Sequence, residues 1–196
     1  MRWTSMMTEL GHPAPDFSLP DTGGRLRSLA DVRGPNGLVV AFICNHCPFV
    51  LHLIDPFVQV AAGLAKRGIA TVAISSNDVA AHPEDGPVQM ADFARARGFG
   101  FPYVYDESQS VAQAYQAACT PDLFLYDAGL KLYYRGQFDA SRPQTQHTKH
   151  VPVPVPGGDL LAAVEALLAG APPPADQKAS MGCSMKWKPG NEPDWS

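Results

Sequence analysis

The sequence is short of cationic charge, of cysteine and of long uninterrupted apolar stretches, and each shortage closes off a class of function. Lys and Arg number 15 against 19 Asp and Glu, for a formal net charge of -4. No broad cationic field is therefore available to gather phosphate backbones or anionic lipid headgroups, and neither nucleic acid nor a membrane surface is an expected partner. Four cysteines in 196 residues are too few for a disulfide scaffold, so any close pair among them points to catalysis or metal binding. Met1 to Leu10 contain neither an apolar core of secretory length nor a small-residue cleavage site. No later apolar run approaches the roughly 20 residues that a membrane span requires, and a cytoplasmic location is the expectation. With 45% hydrophobic and 17% charged residues, the chain has enough apolar surface to fold as one domain. The expected organisation is an extension over 1–9, a core domain over 10–169 and a proline-rich tail over 170–196.

The order of elements can be read from periodicity and punctuation. Ala14 to Leu19 and Arg25 to Arg27 flank Asp21-Thr22-Gly23-Gly24, the pattern of a short hairpin, with Ser28 as N-cap of one helical turn. Leu38 to Ile43 is an unbroken β-rich apolar run, as a strand buried on both faces should be, and it ends on Cys44. From Pro48 the apolar residues follow helical spacing to Lys66-Arg67-Gly68, with an expected kink at Pro56. Ile69 to Ser75 is a second buried strand, completing a βαβ unit and hence a parallel pair. Further on, helices are expected over Val88 to Arg97 and Ser108 to Ala117, with a strand at Tyr103 to Tyr105 between them. A hairpin turning at Asp127-Ala128-Gly129 and a last helix capped by Asp159 follow. This order predicts an α/β fold with a mixed central sheet, helices on both faces and an N-terminal β-hairpin, a topology similar to that of thioredoxin.

The chemistry concentrates at Cys44-Asn45-His46-Cys47. A thiol attacks a disulfide only as its thiolate, and the start of a helix favours an anion through its dipole and free N–H groups. A second thiol one helical turn away can then displace the partner from a mixed disulfide. Cys44 is the expected nucleophile, Cys47 the resolving thiol, and His46 a group that could lower the pKa of Cys44.

The segments Phe42 to Val50, Gly11 to Leu19 and Cys119-Thr120-Pro121-Asp122 resemble the peroxiredoxin-like branch of the thioredoxin superfamily, related to the alkyl-hydroperoxide-reductase and thiol-specific-antioxidant proteins. The resemblance runs from about Leu10 to about Ala169 and implies a reactive cysteine at Cys44. It also makes Thr120-Pro121 the counterpart of a cis-proline loop whose backbone pairs with the substrate chain. Peroxiredoxins carry a proline and a threonine six and three residues before the reactive cysteine, where this chain has Leu38 and Ala41. Under the same resemblance Cys119 is either a further resolving thiol or a small core residue. Gly182-Cys183-Ser184-Met185-Lys186-Trp187 resembles a terminal motif of the branch that folds back over the redox site, making Cys183 either a functional thiol or part of a tail anchored by Trp187.

The function implied is a thiol–disulfide oxidoreductase acting on a disulfide substrate with a thiol electron donor, and no cofactor is expected. A thiol-dependent peroxidase centred on Cys44 and acting on a peroxide is one alternative. A Cu(I)- or Zn(II)-binding module using Cys44, Cys47 and His46 or a third cysteine is the other. His52, His82, His147 and His150 are expected to face solvent, and Asp78, Glu84 and Asp85 lie in a polar loop beyond the second strand, on the side where α/β sheets place their sites, with a plain solvated loop the preferred reading.

Overall fold

The computed structural model describes residues 2–144 and 154–195. The chain opens with a short strand, β1 (Arg2–Thr4), and then the expected hairpin, β2 (Ser18–Pro20) against β3 (Leu26–Ser28), with Ser18 opposite Ser28. Ser28 caps the single turn α1 (Leu29–Val32). Its hydroxyl accepts from the Asp31 N–H while the Asp31 carboxylate takes the Ser28 N–H, a reciprocal capping box.

The central sheet is built around β4 (Gly37–Phe42), which is buried at every position. The long helix α2 (Pro48–Ala65) carries the chain over to β5 (Ile69–Ser75), which pairs with β4 in parallel. Next come α3 (Pro87–Ala96) and β6 (Tyr103–Tyr105), the latter parallel to β5. The short helix α4 (Ser110–Ala114) leads to β7 (Cys119–Thr120), and Pro121 separates β7 from β8 (Asp122–Tyr126). β8 runs antiparallel to β4, and β9 (Leu132–Gly136) antiparallel to β8, giving the strand order β6-β5-β4-β8-β9. Helix α5 (Gly158–Leu168) and a last strand, β10 (Met181–Ser184), follow.

Side-chain alternation along β4 divides the core into two layers. Val39 and Ala41 face Val50, Ile54 and Phe57 of α2 and Leu160 and Val164 of α5, whereas Leu38, Val40 and Phe42 face Val32 of α1, Val111 of α4 and Tyr115 just after it. Helices thus cover both faces of a mixed sheet, which is the thioredoxin-like fold that the element order implied. Burial of each large apolar side chain is worth about 1.5–3 kcal/mol, and this holds α2 to the sheet.

The structure departs from the sequence reading at several places. Helix α2, with 18 residues and a hydropathy of 1.4, is long and apolar enough to cross a membrane by length and composition. No such stretch was expected. Its Val50, Leu53, Ile54, Phe57, Ala61 and Leu64 are spent on the core. The cap of α5 is Gly157 at φ 71°, not Asp159, because a Cβ there would lie 2.5 Å from the Phe138 ring. Asp159 instead accepts a hydrogen bond from Gln137 Nε2. In the β8–β9 turn the left-handed residue is Leu130, at φ 57°, and Asp127 Oδ1 gathers the N–H groups of Gly129 and Lys131.

The segments outside the expected core domain are ordered against each other. β10 lies between β1 and β7, with Arg2 opposite Cys183, Trp3 opposite Gly182 and Thr4 opposite Met181 on one side. On its other side Cys183 is opposite Thr120 and Ser184 opposite Cys119. The flank of this small sheet is held by a fully buried ion pair, Arg135 Nη2 to Asp122 Oδ2 at 3.1 Å. Ser5 Oγ donates to Asp122 Oδ1 at 2.6 Å, and Arg135 also reaches the Gln116 carbonyl and Thr8 and lies over the Phe124 ring.

Removing one member of such a pair leaves a buried charge without its counterion, a loss of about 3–5 kcal/mol. Urea unfolding should therefore find Arg135→Leu destabilised on that scale. The double variant Arg135→Leu/Asp122→Leu should recover a substantial part of the loss, and purely additive losses would contradict the pairing.

Candidate active site

The site lies at the carboxyl end of β4, where the chain leaves the sheet and starts α2. Cys44 follows the strand and Cys47 is the N-cap of α2, with Pro48 filling the first helical position, where a missing N–H costs nothing. Both sulfurs are enclosed, Cys44 at 1% and Cys47 at 0% exposure.

Thr120, joined to Pro121 by a cis peptide bond, covers both cysteines. Its hydroxyl lies 3.4 Å from Cys44 Sγ and its carbonyl oxygen 3.1 Å from Cys47 Sγ. Cys183 of β10 places its Sγ 2.9 Å from Cys47 Sγ. Cys47 is thus the middle sulfur of three. Its thiol is held well below its ordinary value, first by its contact with Cys183 and then by that with Cys44. The two flanking thiols are pushed up, each first by its contact with Cys47. At Cys44, burial and the negative charge of Asp85 add to the rise. This reverses the expectation of a lowered Cys44, for the helix start belongs to Cys47.

His46 meets the acidic side chains of the loop beyond β5. Its Nδ1 lies 2.8 Å from Asp85 Oδ2 and 3.5 Å from Glu84 Oε1, close polar contacts without hydrogen-bond geometry. Its ring stacks on His82 at 5.1 Å between centroids.

Asp85 is the residue whose surroundings the sequence reading misjudged. It is fully buried, where a solvated loop was expected, and it accepts the Asn45 backbone N–H at 2.8 Å through Oδ1 and Asn77 Nδ2 at 2.8 Å through Oδ2. Tyr103 Oη donates to Asn45 Oδ1 at 3.1 Å, so the loop between the two cysteines is held from beneath. Asp78 is buried as well, its N–H donating to the Lys186 carbonyl, and His52 meets Ser141 Oγ at 2.9 Å instead of facing solvent. The signal for these residues was position, because Asn77 to Asp85 follow the carboxyl end of β5, the end of an α/β sheet where sites gather. His147 and His150 lie outside the described residues.

Cys119 is drawn away from the cluster. Its side chain donates toward the carbonyls of Pro121 and Ser180 at 3.5 and 3.9 Å, and burial pushes its thiol well up. A neighbour in a strand points to the opposite face, so Thr120 meets the cysteines and Cys119 does not.

Cys44, His46 and Asp85 bring one sulfur, one nitrogen and one oxygen within 4.8 Å of one another, and His46, His82 and Glu84 form a second such group. These are the side chains that could hold a metal ion. Asp85 already receives N–H donors on both oxygens, which makes its place in the first group that of a structural acceptor.

The family model described as AhpC/TSA matches residues 10–135. The chain belongs to the AhpC/TSA family. Within the reach of this family, a Mycobacterium tuberculosis protein with a provisional peroxiredoxin name is 31% identical over 107 residues, covering 55% of this chain and 63% of that protein. The chain thus spans less than two thirds of that relative's length. Among solved structures, an uncharacterized conserved protein from Geobacillus kaustophilus is 46% identical with a TM-score of 0.89, over 96% of this chain and 97% of that one. A hypothetical protein from Sinorhizobium meliloti gives the same identity and TM-score over 95% and 99%. The peroxidoxin BcpB from Mycobacterium tuberculosis, 20% identical with a TM-score of 0.59 over 83% of this chain and 98% of that one, shares the fold.

The three-sulfur arrangement predicts a thiolate at pH values where free cysteine, with a pKa of about 8.5, is protonated. Ultraviolet thiolate absorbance of the reduced chain should persist well into the acid range and vanish in Cys47→Ser. Cys44→Ala and Cys183→Ala each remove one thiol in contact with the anion, so each should move the midpoint upward. A midpoint unmoved by either substitution would contradict the assignment.

Proposed function

We propose that this AhpC/TSA family member is a thiol–disulfide oxidoreductase whose working couple is Cys44 and Cys47. The observation that carries this reading is the placement of Cys47 at the start of α2, in contact with Cys44, under a cis Thr120-Pro121 peptide. At rest the negative charge sits on Cys47 and the proton on Cys44. Moving that proton along their contact charges Cys44, which attacks one sulfur of a substrate disulfide and releases the other as a thiol. Cys47 then attacks Cys44 in the mixed disulfide, the second substrate thiol leaves, and the chain retains a Cys44–Cys47 disulfide. A thiol donor returns the two electrons.

The enclosure of both sulfurs, at 1% and 0% exposure, favours compact oxidants. It supports a second reading in which a hydroperoxide oxidises Cys44 to a sulfenic acid and Cys47 condenses with it, expelling water. Leu38 and Ala41 stand where the peroxiredoxin pattern has proline and threonine, and the hydroxyl beside Cys44 comes from Thr120 instead.

With dithiothreitol as donor and hydroxyethyl disulfide as substrate, Cys44→Ser should fall to the uncatalysed rate, and retained turnover would refute the proposed couple. In parallel, the rate of sulfenic acid formation with hydrogen peroxide separates the two readings. A Cys44 no faster than free cysteine rules out the peroxidase.

A further inference from the structure

The cysteine pair is buried, yet an electron donor has to reach it. Cys44 and Cys47 are at most 1% exposed, whereas Cys183 is only partly buried and is in contact with Cys47. Its 2.9 Å approach compares with about 2.03–2.05 Å for a formed S–S bond, so a small displacement separates contact from bonding. That approach is fixed by backbone. Cys183 stands opposite Thr120 in the β10–β7 pairing, and its neighbour Gly182 packs so tightly that a Cβ there would lie 2.0 Å from the Thr120 carbonyl oxygen. β10 is held on its far side by β1, and the N–H of Met185, just after the strand, donates to the Ala118 carbonyl at 3.1 Å. The chain therefore places its own cysteine-bearing strand against the backbone beside Pro121 and aims its sulfur at Cys47.

We infer that Cys183 is the outlet of the redox centre: the disulfide made between Cys44 and Cys47 passes to Cys47 and Cys183, and the external thiol donor meets it there. This rests on the oxidoreductase reading above. In the first step Cys183, as thiolate, attacks Cys47 Sγ. The Cys47–Cys183 bond forms, the Cys44–Cys47 bond breaks, and Cys44 leaves as a thiolate that takes up the proton Cys183 gave away, with no net oxidation. In the second step the thiolate of a donor attacks Cys183 Sγ and Cys47 leaves with the electron pair. A second thiol of the donor then attacks the donor sulfur in the mixed disulfide, releasing Cys183 as a thiol and leaving the donor as its own disulfide. The donor class is thus a dithiol, or two equivalents of a monothiol, able to reach a partly exposed sulfur. The substrate need never share that entrance.

Trypsin separates the two disulfides, because Cys44 and Cys47 lie together in the peptide 34–66 and Cys183 in the peptide 179–186. Reduced full-length chain is treated with one equivalent of hydroxyethyl disulfide, quenched with acid and alkylating reagent, and mapped without reduction. The relay predicts cross-linked peptides 34–66 and 179–186 in the wild type and their loss in Cys47→Ser. In Cys183→Ser the oxidised chain should hold a loop within 34–66, and dithiothreitol should re-reduce it slower than the wild type by about tenfold or more. A wild-type loop without the cross-link, or a Cys183→Ser chain re-reduced at the wild-type rate, overturns the relay alone. A wild type in which neither disulfide forms overturns the oxidoreductase reading and the relay with it.

Discussion

The carbonyl of Thr120 is the point against which the site is assembled. Cys47 Sγ lies 3.1 Å from its oxygen, and Gly182 presses its bare α-carbon onto the same group. The hydroxyl of the same residue reaches Cys44. A side chain at position 182 would have to displace backbone, because the atoms it meets belong to a peptide that two strands hold in place. Glycine at that position is what lets a strand from the far end of the chain come close enough to touch the sulfur pair.

The charge in the site is apportioned by the same geometry. Of the three thiols Cys47 takes a negative charge most readily, because it is the one in contact with both of the others. Asp85 reinforces that placement from the other end, since its charge beside Cys44 disfavours a second anion there. A carboxylate removed from water is costly unless its oxygens find donors. Asp85 finds them in the Asn45 N–H and the Asn77 amide, and Asn77 in turn accepts the Lys186 N–H at 3.0 Å. One buried carboxylate thereby couples the inter-cysteine loop to the segment following β10.

The parts of this molecule legible in the sequence are those set by local pattern. The apolar run of β4, the helical spacing of α2 and the second run of β5 specify a βαβ unit, and the strand–helix junction gives Cys44 and Cys47 their address. The Ser28 cap is legible for the same reason. What could not be read depends on partners far away in the chain. Met181-Gly182-Cys183-Ser184 has no β-branched residue and no alternation, and it becomes a strand because β1 and β7 supply its hydrogen bonds. Asp85 reads as one more acidic loop residue until the carboxyl ends of β4 and β5 close over it. The cap of α5 falls at Gly157 instead of Asp159, where the Phe138 ring leaves no room for a Cβ, a constraint that no local rule contains.

The small sheet β1-β10-β7 joins the first described residues of the chain to residues 181–184. Its central strand is the one synthesised last. A chain emerging from the ribosome can pair β4 with β5 and seat α2 while β1, made first, still waits for its neighbour, since a domain's pieces become available in order of translation. Until β10 arrives, Cys44 and Cys47 stand without the strand that covers them. The cover over the cysteine pair can therefore be completed only after residues 181–184 have been made.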